Sequence, residues 1–122
     1  MKKTKVLLEI DELQMGVSNL ESNYKEYALF MKALGDETRL KIFHMLSGGE
    51  LCACKILEEF HITQPTLSYH MKTLCESGLV NGRRDGIWTK YSINEKALEA
   101  LKMLFNDIDV KTAGYFDCST EC

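Results

Sequence analysis

Glu50-Leu51-Cys52-Ala53-Cys54-Lys55-Ile56-Leu57-Glu58-Glu59-Phe60-His61-Ile62-Thr63-Gln64-Pro65-Thr66-Leu67-Ser68-Tyr69-His70-Met71-Lys72-Thr73-Leu74-Cys75-Glu76-Ser77-Gly78 reads as two short helices joined by a tight turn, with two cysteines where the first helix begins. Thr63 is a helix-capping residue, able to accept a bond from a free backbone N–H. Pro65 suits a first helical turn, where its missing N–H costs nothing. Leu67, Met71 and Leu74 follow at i, i+4 and i+7 as one apolar stripe. Gln64, Thr66, Ser68, Tyr69, Lys72 and Thr73 occupy the other face, a polar set suited to base edges and phosphates. Gly78 stops the helix. The pattern is a helix-turn-helix with Gln64–Ser77 as the recognition helix.

Reading outward, Leu79 to Ile93 contains Asp85-Gly86 between two strand-like runs, a hairpin signal that rests on positive φ at the turn. Ile87, Thr89, Tyr91 and Ile93 share one face of that hairpin, and Trp88, Lys90 and Ser92 the other. It forms a wing whose Arg83, Arg84 and Lys90 are placed to meet phosphates or the minor groove. Trp88 is open to two readings, packing and DNA contact. Asn94 caps a last helix with Leu98, Leu101, Phe105 and Ile108 on one face.

Upstream, Asp36 caps a helix from Glu37 to about Leu46, with Leu40, Phe43 and Leu46 expected inward and Ser47-Gly48-Gly49 as a turn. Glu50-Leu51-Cys52 reads as briefly extended, followed by a short helix to Phe60 buried through Ile56, Leu57 and Phe60. Ser18 with Glu21 forms a capping box. Leu20, Tyr24, Tyr27, Met31 and Leu34 then make a seam that fits either the chain's own core or a partner subunit, and Gly35 ends that helix. Residues 4–15 suit a short helix. The fold class is therefore mainly α with a small β-hairpin (α+β), a winged helix-turn-helix. Its parts are an N-terminal extension (1–17), the DNA-binding and dimerisation domain (18–108) and a cysteine-containing tail (109–122).

The 122 residues, 45% hydrophobic and 27% charged, suit one globular core. No apolar run approaches the roughly 20 residues that span a bilayer. Acidic residues interrupt the apolar run after the basic N-terminus, so a cytoplasmic location without membrane attachment is expected. A formal charge of −3 argues against indiscriminate nucleic-acid binding. Residues 61–91 are locally basic, however, through Lys72, Arg83, Arg84 and Lys90, which suits selective, salt-sensitive contact with DNA. No nucleophile–base arrangement, phosphate loop or carboxylate pair points to an enzyme.

Several separate motifs resemble the ArsR/SmtB family of bacterial metal-responsive repressors. They are Leu34-Gly35-Asp36-Glu37-Thr38-Arg39-Leu40 with Ile42, Glu50-Leu51-Cys52-Ala53-Cys54, Gln64-Pro65-Thr66-Leu67-Ser68-Tyr69-His70-Met71-Lys72-Thr73-Leu74, and Gly78-Leu79-Val80. The resemblance covers roughly residues 30–105. It implies a homodimer joined through its first and last helices, a double-stranded operator of two-fold symmetry, and release of that operator when a metal or metalloid binds. The Glu-Leu-Cys-x-Cys motif resembles the thiolate site of the arsenic-sensing and the cadmium/lead-sensing branches. DNA contacts are expected from Thr63, Gln64, Thr66, Ser68, Tyr69, His70, Lys72, Arg83, Arg84 and Lys90.

Five cysteines include two close pairs, Cys52/Cys54 and Cys118/Cys122, which in a reducing compartment point to metal or redox chemistry. On a continuous helix, residues two apart diverge by about 200°, so Cys52 and Cys54 are expected to need a frayed or deforming helix start to share one ion. Soft thiolates select As(III), Sb(III), Cd(II), Pb(II) or Zn(II). The arsenic-sensing members most similar here carry a further cysteine where this chain has Leu57, so Cys118 or Cys122 of either subunit is the candidate third ligand. All four sulfurs together suit Cd(II), Pb(II) or Zn(II). A thiol redox or persulfide switch linking Cys52 or Cys54 to the tail pair is a further alternative. Cys75 reads as core. The last helix contains no histidine, unlike the family's zinc sensors.

Overall fold

The computed structural model describes residues 23–110. The expected capping box at Ser18, the segment 4–15 and the tail cysteines Cys118 and Cys122 lie outside them. Residues 23–34 are helical (α1), followed by α2 (Glu37–Met45), a 3-10 turn (Leu46–Gly48), β1 (Leu51–Cys52), α3 (Ala53–Glu59), α4 (Gln64–Ser77), β2 (Val80–Asp85), β3 (Trp88–Ile93) and α5 (Glu95–Asp107). None of the described helices is long and apolar enough to cross a membrane.

Helices α2, α4 and α5 each start after a short polar side chain. Asp36 accepts the N–H of Arg39, Thr63 that of Thr66, and Asn94 those of Lys96 and Ala97, each satisfying donors that a helix leaves open. Helix α4 ends at Gly78, whose φ of 95° is the left-handed conformation that glycine adopts without a Cβ penalty. Asn94 also donates from Nδ2 to the Gly78 carbonyl at 2.9 Å. One side chain thus fastens the end of the recognition helix to the start of α5.

The strands form one antiparallel sheet in the order β1-β3-β2. Asp85 pairs with Trp88, so the turn is Gly86-Ile87, with Gly86 at φ 68°. The hairpin signal was sound, but its turn lies one residue later than Asp85-Gly86 suggested. The two residues of β1 pair with β3, Leu51 opposite Tyr91 and Cys52 opposite Lys90. The wing is therefore three-stranded, and its third strand comes from the cysteine motif.

Phe30, Ile42, Ile56, Met71, Leu74 and Leu79 are fully buried, drawn from α1, α2, α3, α4 and the approach to the wing. Leu40, expected inward, is 51% exposed, whereas Ile42, Phe43 and Leu46 are buried. At roughly 100° per residue, Leu40 falls about 115° from the mean direction of those three. Phe105 and Ile108 of the expected α5 stripe are exposed, while Ala97 and Leu101 are buried.

Candidate nucleic-acid interface and cysteine site

Helix α4 packs inward through Leu67, Met71 and Leu74 and presents Gln64, Thr66, Ser68, Tyr69 and Lys72 to solvent. Thr63, also exposed, spends its hydroxyl on the cap. Tyr69 is 61% exposed, with the Arg39 guanidinium carbon 6.0 Å from its ring centre, at the outer reach of a cation–π contact.

His70, expected on the DNA-facing surface, turns the other way. Its side chain is only 12% exposed and lies between α4 and the start of α2. Arg39 Nη1 is 3.1 Å from His70 Nδ1, and Asp36 Oδ2 lies 3.9 Å from the same nitrogen. A guanidinium has no acceptor, so Nδ1 accepts and the proton sits on Nε2. Position 70 falls beside the buried stripe of Met71 and Leu74, which explains its inward aim.

The wing's cations differ in how they are held. Arg83 donates from Nε and Nη2 to the two carboxylate oxygens of Glu50, each at 2.8 Å. Lys90 Nζ lies 2.9 Å from Asp85. Those hydrogen bonds from Arg83 and Lys90 hold the Glu50 and Asp85 carboxyls below their ordinary values. Arg84 is exposed and forms no ion pair among the described residues.

Cys52 is the last residue of β1 and the N-cap of α3, with extended backbone (φ −81°, ψ 153°), and Cys54 lies in the first helical turn. The break between strand and helix falls between the two cysteines. Their Cα atoms are 5.3 Å apart and their sulfurs are joined to each other as a disulfide. The expected divergence of about 200° does not arise, since it assumes a helix running through both positions. No fraying is needed to bring the sulfurs together. Among the described residues no cluster of three His, Cys, Asp or Glu side chains has metal-binding geometry. Within that span the pair supplies two donors, fewer than the three of a pyramidal As(III) site. Cys75 is half-buried and separate, and burial pushes its thiol up.

Two polar residues that matter here carry little signal in a single sequence. Glu50 precedes the cysteines, and Arg39 lies within Asp36-Glu37-Thr38-Arg39, but their partners lie 33 and 31 positions away.

A recognition helix with an exposed polar face, a basic three-stranded wing and the supporting helices α2 and α3 define a winged helix-turn-helix DNA-binding protein. A family profile described as "Bacterial regulatory protein, arsR family" matches residues 36–82. The arsenical resistance operon repressor of Staphylococcus aureus is 45% identical over 87 residues, covering 71% of this chain and 84% of that one. Its counterpart in Staphylococcus xylosus is 41% identical over 92 residues, covering 75% and 88%. Among solved structures, the homodimeric winged helix-turn-helix domain of a possible ArsR-family regulator from Mycobacterium bovis aligns with a TM-score of 0.59 at 26% identity, covering 80% of this chain and 93% of that one. The chain belongs to the ArsR family of bacterial regulatory proteins, DNA-binding transcription regulators rather than enzymes.

Proposed function

We propose that the protein is a repressor that holds operator DNA as a homodimer and releases it when As(III), or its heavier analogue Sb(III), is captured by the thiolates of Cys52 and Cys54. One observation carries this reading: the two sulfurs meet at the strand–helix junction that leads through α3 into the recognition helix. Soft, polarisable thiolates suit a soft metalloid. The names of the two staphylococcal relatives, arsenical resistance operon repressors, favour an arsenical as the inducer. A third sulfur for As(III) would come from Cys118 or Cys122. Binding requires the disulfide reduced and displaces thiol protons.

Gln64, Thr66, Ser68, Tyr69 and Lys72 would enter the major groove, with Arg83, Arg84 and Lys90 on the backbone. A homodimer fits the apolar side chains left exposed on α1 and α5, including Tyr24, Met31, Met103 and Phe105. It also places two recognition helices on a two-fold operator.

The test is a fluorescent operator complex of reduced protein titrated with As(III), Sb(III), Cd(II), Pb(II) and Zn(II). As(III) and Sb(III) should release it at the lowest concentrations, and Cys52→Ser and Cys54→Ser should bind operator but not release it. Normal release from both variants would overturn the site, and release by a divalent ion alone would overturn the inducer.

The disulfide favours a second reading, a dithiol switch within the pair. Two thiols and one peroxide molecule would give the disulfide and two waters. Release by peroxide without metalloid, lost in either serine variant, would identify it.

A further inference from the structure

We propose that Glu50 is the effector arm through which the cysteine pair controls the wing: when Cys52 and Cys54 are bridged, Glu50 clamps Arg83 and withholds it from the operator backbone. The proposal rests on the reading of the pair as the inducer site and deepens it.

Cys52 lies opposite Lys90 on β3, and Lys90 lies opposite Arg83 on β2. Directly opposed residues in an antiparallel sheet share a face, so Cys52, Lys90 and Arg83 form one row across the wing. Glu50 stands two residues before Cys52 in an extended segment, hence on the same side. Its carboxylate takes Arg83 in a two-point grip, the geometry in which a guanidinium is held most firmly. The grip is only partly shielded, with Glu50 34% and Arg83 57% exposed. A phosphate can therefore compete for the same guanidinium.

The structure holds both conditions at once, the sulfurs bridged and the clamp closed. A metalloid held by both thiolates would likewise tie Cys52 to Cys54, with one atom between the sulfurs in place of a direct S–S bond. Any change in how Cys52 and Cys54 approach each other acts on β1, and Glu50 sits at its edge. The sensor thus reaches DNA contacts by two routes, through α3 to the recognition helix and through Glu50 to the wing.

The experiment uses reduced full-length protein saturated with arsenite, with loading followed by arsenic–thiolate absorbance and operator affinity measured across a salt series. Glu50→Gln should load arsenite at the wild-type equivalence point. Loaded Glu50→Gln should bind operator about 5-fold more tightly than loaded wild type, the upper range for an exposed ion pair. Its salt slope should steepen by about one, because Arg83 is freed to meet a phosphate. In an Arg83→Gln background the same change should have no effect. Equal affinity of the two loaded proteins, or a gain that persists without Arg83, would overturn the clamp. Should arsenite fail to load wild type, the inducer reading falls by itself. The clamp is then measured on the disulfide-bridged protein, where the same pattern supports it and its absence overturns it.

Discussion

Arg39 joins three helices through one guanidinium: its Nε donates to the Ala33 carbonyl at the end of α1 at 2.6 Å, while Nη1 donates to His70 Nδ1 on α4 at 3.1 Å. The residue itself belongs to the first turn of α2, where its N–H meets the Asp36 cap. The recognition helix is thereby oriented against α1, the helix proposed to face the partner subunit. Arg39→Ala should cost about 1–3 kcal/mol, since both acceptors lose a charged donor. Arg39→Lys should recover little, because a single ammonium cannot span two divergent acceptors. Urea unfolding of the three proteins checks this, and a lysine variant as stable as wild type would show that charge alone suffices.

Asp36 gives the fold a pH dependence whose sign follows from its environment. The Arg39 backbone N–H is the chief reason that its carboxyl lies below the ordinary 3.8, with the Arg39 charge adding to it. A carboxyl with a depressed folded value contributes stability above its unfolded value and loses it as pH falls through the folded one. Asparagine caps a helix about as well as aspartate, so Asp36→Asn removes the charge and keeps the cap. The urea midpoint of the variant should fall less steeply than that of wild type below about pH 4. Between pH 5 and 8 the two curves should run parallel. Identical acid limbs would show that Asp36 is not held in its charged form.

The recognition helix was legible from sequence because its determinants are local. Thr63, Pro65 and Gly78 sit at its ends, and Leu67, Met71 and Leu74 repeat with its period, so the expected span Gln64–Ser77 is the observed one. The cysteine pair was legible as chemistry but not as geometry. Leu51 and Cys52 form a strand only because Tyr91 and Lys90, nearly forty positions later, pair with them. That pairing places the strand–helix break between the two sulfurs. Arg83 shows the same limit, since its partner Glu50 lies 33 residues earlier. His70 faces inward rather than toward DNA because residues bordering a buried stripe can turn either way, and the tertiary acceptors and donors around them decide. Leu40 shows a related ambiguity: Leu40, Phe43 and Leu46 recur at three-residue spacing, but the core takes Ile42, Phe43 and Leu46.

The exposed α4 face and the wing should be separable in their contributions to operator binding. Gln64 lies at the first position of α4 with its amide free to meet a base edge, whereas Arg84 is an exposed wing cation without an ion pair among the described residues. Gln64→Ala should lose about 1–3 kcal/mol on the cognate operator and little on random duplex, because a base-edge contact discriminates between sequences. Arg84→Ala should weaken both duplexes alike and reduce the salt slope by about one, the signature of a lost phosphate contact. Arg83→Ala should change the slope less than Arg84→Ala in the bridged protein, since Arg83 is held by Glu50 there. Fluorescence anisotropy over a range of salt concentrations, on cognate and scrambled duplexes, reads all three. A loss of sequence preference in Arg84→Ala, or an unchanged one in Gln64→Ala, would reverse the assignment of reader and backbone contact.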